Sequence, residues 1–274
     1  MNDHDLKMLQ EVELEILSVV DDFCKKHEIP YSLYAGTALG AIRHHGFIPW
    51  DDDVDIAMTR ENLNRLILAW KKNPLSGYYL ETCLDDPYCG TSHVKLRKDD
   101  TILLSKGEDE TKGHHGIWLD IFPLDKVQTG MHTWNMYFHG ILLNVMTRAN
   151  VAMSNDSLKK KILRNTLRLI PFLFRKKLIH YSWRWFTNNS AKITDDYSWM
   201  STSAVYAFSL RFPQNIVDDY TFITFEGREF PIFKDYHTML TNTYGDYMKL
   251  PPVEKQVCTH TPIQFQISKD TTRQ

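Results

Sequence analysis

Residues 50–58 read Trp-Asp-Asp-Asp-Val-Asp-Ile-Ala-Met, which sets four carboxylates, Asp51, Asp52, Asp53 and Asp55, within five positions and closes them with an apolar run. Like charges this close repel, and a folded chain holds them only where water or a cation screens them. Val54 to Met58 has the character of a short buried strand. Asp53 and Asp55 at the head of such a strand project to one face with Cα atoms about 6–7 Å apart. There they can share Mg²⁺ (or Mn²⁺), a hard cation that takes a few protein oxygens and leaves positions for phosphate and water. If the strand extends backward, Asp51 lies on the same face and Asp52 points away. A solvated acidic loop is the plain alternative. A calcium loop of the EF-hand type is excluded at two positions, because Ile56 stands where its turn needs Gly and Asn62 where it needs Glu. An aspartyl-nucleophile motif is excluded by Ala57, which stands where Thr or Val is wanted.

Other groups gather around the acids along the chain. Ala35-Gly36-Thr37-Ala38-Leu39-Gly40 is a small-residue turn opening a helix, and backbone N–H groups at a helix start suit a phosphate. A simple turn is the alternative. Downstream, Asp120 sits among apolar residues in Trp118-Leu119-Asp120-Ile121-Phe122. An unpaired carboxylate on such a strand is costly, so Asp120 is a candidate third acid, against the alternative of an Asp capping a strand end. Lys95 and Arg97, two apart on a predicted strand, and Arg43 and His44, between the turn and the acids, are candidate diphosphate contacts. Arg offers a fork of donors matched to phosphate oxygens. Surface ion pairs are the alternative for each.

These residues must be positioned by a recognisable set of elements. Apolar residues at three- and four-residue steps predict a helix over 5–27, ended by Pro30. Strands are expected at 31–35, 54–58, 78–83, 93–97 and 117–122. Helices are expected from 37 to about 43 and from 60 to about 73, the latter capped by Thr59. A helical stretch covers 131–186. A hairpin joins 220–225 to 228–233 around Glu226-Gly227, a helix over 234–244 ends at Gly245, and the tail after 261 reads as polar and loose. The expectation is an α+β chain: a catalytic core over 1–130, a basic, apolar helical region over 131–200, and a C-terminal hairpin and helix over 201–274 packing back on the core.

With 43% hydrophobic and 24% charged residues the 274-residue chain is globular rather than disordered. Four scattered cysteines and no Cys-x-x-Cys pair exclude a disulfide scaffold and a zinc ribbon. The N-terminus does not read as a signal sequence, and no apolar run reaches the ~18–20 residues of a membrane span. A cytoplasmic location follows as the default expectation. The net charge of −2 hides a segregation: residues 157–194 carry ten Lys or Arg and no acid. Apolar and Trp-rich residues interleave with those charges, which favours the surface of an anionic membrane over nucleic acid as partner, with Arg175, Lys176 and Lys177 as the expected lipid-facing charges. Core helices with a basic outer face are the alternative.

The Gly-Thr turn followed by Asp-x-Asp and a later strand carboxylate resembles the nucleotidyltransferase superfamily related to DNA polymerase beta. The longer run from Ala35 to Ile56, with 118–125, Tyr244-Gly245-Asp246-Tyr247-Met248, Pro251-Pro252 and His260 following in order, resembles the LicD family. That family includes bacterial phosphocholine transferases and is similar to the eukaryotic fukutin group. The resemblance implies a nucleotidyltransferase-like mixed sheet flanked by helices, with a helical insertion. It also implies transfer of a phospho-alcohol, phosphocholine from CDP-choline above all, to a hydroxyl of a cell-surface glycan or its lipid-linked precursor, with release of CMP. Asp53, Asp55 and Asp120 would then be catalytic and hold the metal, Asp120 taking the proton of the attacking hydroxyl. Gly36, Thr37, Arg43, His44, Lys95 and Arg97 would face the donor. A glycosyltransferase or a nucleotidyltransferase proper with the same Asp-x-Asp remains an alternative.

Overall fold

The first helix, α1 (Asp3–Lys26), is set by its two ends. Asn2 accepts a hydrogen bond from the Asp5 N–H at 2.8 Å, acids fill the first turn, and Lys25 and Lys26 close the last, each charge matched to the helix dipole. The computed structural model describes residues 1–105, 111–128, 131–149, 158–203, 210–258 and 262–267. After α1 come β1 (Ser32–Leu33), α2 (Ala35–His44), β2 (Asp55–Thr59), α3 (Arg60–Lys72), β3 (Tyr78–Glu81), β4 (Val94–Lys98), β5 (Ile102–Ser105) and β6 (Trp118–Gln128). Three helices follow, α4 (Met131–Arg148), α5 (Leu158–Arg168) and α6 (Phe172–Lys192), then β7 (Tyr197–Ser201), the hairpin β8 (Tyr220–Phe225) and β9 (Arg228–Phe233), α7 (Tyr236–Tyr244) and β10 (Pro262–Gln266). This is a mixed α+β architecture.

The main sheet runs β1-β2-β6-β4-β3, with β7 on β6. Among the described residues only β2 and β6 pair in parallel. Ile56, Ala57 and Met58 have no exposed surface, as expected of a strand covered on both faces. β6 is long enough to serve two partners in turn on its other side: β4 pairs with Trp118 to Ile121, and β7 with Leu124 to Gln128. Pro123, which cannot donate to a ladder, falls in the gap between them.

The hairpin turns through Glu226 and Gly227, both with positive φ, the backbone that tight hairpin turns require. It is pinned to α1 by Arg228, which donates to Asp21 and Asp22 at 2.8 and 2.6 Å. Thr59 caps α3 as expected, accepting from the Asn62 N–H. β1 is shorter than expected because Ala35, at φ 45°, already turns the chain into α2. β5, β7 and β10 were not foreseen. The tail expected to be loose instead supplies β10, which pairs antiparallel with β5. Strands of four or five residues, even the alternating Ile263-Gln264-Phe265-Gln266, are too short for their pattern alone to identify, and pairing decides them. Among the described residues no helix is long and apolar enough to cross a membrane.

Asp125 ends the apolar block of β6 and is not part of the acid site. Arg60 donates to its two oxygens at 2.9 and 2.7 Å, Thr202 donates at 2.5 Å, and the Arg60 guanidinium lies 4.4 Å from the Trp183 ring. Both members of the pair are 1% exposed, so the pair ties α3, β6 and α6 together in a dry setting. Removing one partner leaves a buried, uncompensated charge, which typically costs about 3–5 kcal/mol. Asp125→Ala is therefore expected to lower unfolding stability in urea by roughly that amount, and the apolar double variant Arg60→Met/Asp125→Leu to recover most of it.

Candidate active site

Sheet register builds the centre of the site. Asp55 of β2 is the direct parallel partner of Asp120 in β6, and Lys95 of β4 is the antiparallel partner of the same Asp120. Lys95, Asp120 and Asp55 thus form one row across three neighbouring strands. Backbone bonds fix its acid end: the Asp55 N–H donates to Thr37 Oγ1 at 2.8 Å, the Tyr34 N–H to the Asp55 carbonyl at 3.0 Å, and the Asp120 N–H to the Val54 carbonyl at 2.9 Å. Thr37, expected on a phosphate-binding turn, is buried and holds the strand that carries Asp55.

The two acids of the row are pushed in opposite directions by their surroundings. Lys95 Nζ lies 2.7 Å from Asp120 Oδ1, His93 Nε2 3.0 Å from the same oxygen, and Trp118 Nε1 donates to Oδ2 at 3.1 Å. Burial opposes ionisation of Asp120, but Lys95 and His93 outweigh it and hold the carboxyl well below the usual range. Asp55 is pushed the other way, by burial first and then by Asp53, Asp120 and Asp51. Its buried Oδ1 has no hydrogen-bond partner among the described residues.

Next to this row the loop before β2 gathers carboxylates. Oxygens of Asp51, Asp52 and Asp53 lie within 4.8 Å of one another. Residues 51–54 are not strand, so the expected alternation does not apply, and Asp52 is buried rather than turned away. The three expected ligands are divided: Asp53 belongs to the loop trio, and Asp55 and Asp120 to the row. Gly36 is required here for closeness, because a Cβ on it would sit 2.8 Å from Asp51 Oδ2.

Glu13, absent from the sequence-based candidates, lies beneath the loop. Gln10, one turn earlier on α1, donates to the Asp51 carbonyl at 2.9 Å. Glu13 is 1% exposed, and its Oε2 has no hydrogen-bond partner. Burial first, then Asp53, Asp51, Asp52 and Asp55, raises its pKa well above the usual carboxylate value. The available signal was an acid set into the apolar stripe Leu9, Val12, Ile16 and Leu17. Clustered acids with two orphaned buried oxygens, on Asp55 and Glu13, form a donor set that fits a hard divalent cation.

The remaining expected contacts are placed unevenly. Arg43 donates through Nε to His44 Nε2 and through Nη1 to the Tyr247 carbonyl, both at 2.9 Å, clasping the C-terminal block to α2. Burial, then Arg43, lowers the His44 pKa, and its ring meets Trp50 edge to face. Arg97 does not join Lys95 on a diphosphate face: its buried guanidinium pairs with Glu81 and donates to the Gly116 carbonyl. The alternation that puts both on one face also carries Arg97 about 6–7 Å further along the strand. Tyr244 stands in the field of Asp55 and Asp51, which with burial pushes its phenol up. His260 and residues 106–110 lie outside the described residues.

The sequence matches the description "LicD/FKTN/FKRP, nucleotidyltransferase domain" over residues 28–150, the stretch holding Gly36, the acid loop and Asp120. It is 31% identical over 266 residues to the lipopolysaccharide cholinephosphotransferase LicD of Haemophilus influenzae, covering 92% of this chain and 96% of that protein. The chain belongs to the LicD family. It is a phosphotransferase of that family, since the similarity covers nearly the whole length of both chains and the family description spans the acid loop and Asp120. An uncharacterized protein of Rickettsia prowazekii is 40% identical over 126 residues, covering 42% of this chain and 46% of that protein.

Glu13 makes stability depend on pH in this LicD-family chain. The folded protein keeps its proton at pH values where the unfolded chain, near the ordinary 4.5, has lost it. The stabilising contribution is therefore full below the unfolded value and is lost as pH rises through the raised folded one. With divalent cations chelated, Tm should fall as pH rises above the ordinary carboxylate range, and Glu13→Gln, neutral and nearly isosteric, should flatten that fall. Parallel wild-type and variant curves would count against a protonated Glu13.

Proposed function

We propose that this chain transfers a phospho-alcohol, phosphocholine from CDP-choline above all, to a hydroxyl of a cell-surface glycan or its lipid-linked precursor. CMP would leave, and the reaction would take place at the inner face of the cell membrane. The observation that carries this reading is the row Lys95–Asp120–Asp55 beside the Asp51–Asp53 trio, in a chain whose relative over almost its full length is a cholinephosphotransferase of lipopolysaccharide. Asp51, Asp52 and Asp53, with Asp55, would hold Mg²⁺ or Mn²⁺, which supplies charge neutralisation on a diphosphate.

The protein's own groups do the rest by positioning. Thr37 and the backbone of Tyr34 hold Asp55 at the head of its strand. Asp120 orients Lys95, whose ammonium stands beside the acids to meet a phosphate oxygen. As the base expected to take the hydroxyl proton, Asp120 is poorly suited, because a carboxylate stabilised by Lys95 and His93 has little proton affinity.

Incubation with Mg²⁺, a panel of CDP-alcohols and candidate glycan acceptors should release CMP, fastest with CDP-choline. Release of a nucleoside diphosphate from sugar nucleotides would instead mark a glycosyltransferase, and pyrophosphate from a nucleoside triphosphate a nucleotidyltransferase. Asp53→Asn and Asp55→Asn should each cut turnover by roughly a hundredfold or more while circular dichroism stays unchanged. A fully active Asp55→Asn would sink the assignment.

A further inference from the structure

Helices α4 to α6 expose large apolar side chains that the rest of the molecule leaves uncovered. On α4, Trp134, Phe138 and Ile141 follow one another at four- and three-residue steps, a single stripe along the helix. Trp134 is 77% exposed, Leu169 before α6 is 82% exposed, and Leu173 in its first turn is 72% exposed. The stripe continues from one helix to the next. Phe138 and Tyr181 both pack against the His139 ring, at 5.3 and 5.2 Å, and His139 stacks on Trp185 at 4.4 Å.

Charge identifies what covers this face. Arg168, Lys177, Arg184 and Lys192 are exposed, and the sequence from 157 to 194 contains no acid. A shallow groove along α6 is lined by Tyr181, Arg184, Trp185 and Lys192 among others, an aromatic wall beside two cations. Arg175 is not among the lipid-facing charges expected from the sequence, because the fold buries it, and Lys176 is half-buried. A second protein copy would bring these cations against one another, and a nucleic acid has no use for exposed Leu169 and Leu173. Apolar side chains entering the acyl boundary with cations at the phosphates match the interface of an anionic bilayer.

We propose that the α4–α6 face docks this protein onto an anionic membrane, with Trp134, Leu169 and Leu173 in the interface and Lys177, Arg184 and Lys192 on lipid phosphates. The inference rests on the proposed function only for its purpose, bringing the site to a lipid-linked acceptor. Its test needs neither donor nor acceptor, so the two can fail separately.

The full chain should sediment with phosphatidylcholine vesicles containing phosphatidylglycerol and not with phosphatidylcholine alone, and the binding should weaken with salt. Changing Lys177, Arg184 and Lys192 to Gln should lower affinity for the anionic vesicles by roughly a hundredfold, about fivefold per charge. Leu169→Ser/Leu173→Ser should lower it while leaving Tm and the circular dichroism spectrum unchanged. Absence of vesicle binding would overturn the proposal. So would unchanged binding in the triple variant, equal binding to poly-anionic RNA, or a concentration-dependent dimer abolished by Leu169→Ser/Leu173→Ser.

Discussion

Negative charge is concentrated where α1, the loop before β2 and the central strand β6 meet, and the surrounding structure answers that concentration. Asp51, Asp52 and Asp53 crowd one another, Asp55 and Asp120 sit side by side across a parallel pair, and Glu13 lies beneath them. Each acid is relieved differently. Asp120 has Lys95 and His93, Glu13 is pushed toward its neutral form by burial and the neighbouring acids, and Asp55 has an oxygen with no hydrogen-bond partner among the described residues. Holding several carboxyl groups this close requires a rigid backbone, which is what Thr37 and the β2–β6 ladder provide. A site strained toward accepting a cation follows from the same arrangement.

β6 links that site to stability. Its first half carries Asp120 between β2 and β4, and its second half carries Asp125 into the dry pair with Arg60. The two aspartates, five residues apart on one strand, do unrelated work. One lines the site and the other joins the helical layer to the sheet. α6 takes part in both layers of the molecule, since Trp183 covers Arg60 while Lys177 and Arg184 face outward.

Much of the architecture was legible because it is local. The amphipathic stripe of α1, the Thr59 cap and the Glu226-Gly227 hairpin each write their geometry into a few adjacent residues. β5, β7 and β10 were not legible, since edge strands of four or five residues owe their form to partners far along the chain. In the site, Asp55 and Lys95 both face Asp120 through strand register, which the order of the motifs and the two-residue spacing of Lys95 and Arg97 do not specify. Arg97 has the same spacing and is claimed by Glu81 from a strand that the spacing does not mention.

By itself the sequence determined which residue types are available to do chemistry and in what order they arrive: a small-residue turn, an acid run and a later strand acid, together with the family those blocks belong to. Those features rest on neighbours within a few positions, where covalent spacing limits geometry. The tertiary structure alone decided the division of labour among the acids. It buried Asp52 in the loop trio, gave Asp120 a lysine, slid Glu13 under the loop and turned Asp125 into a structural partner of Arg60. The physical reason is that the charge state of a carboxylate depends on burial and on what stands within a few ångströms of it, and here those groups come from elements 25 to 65 residues away.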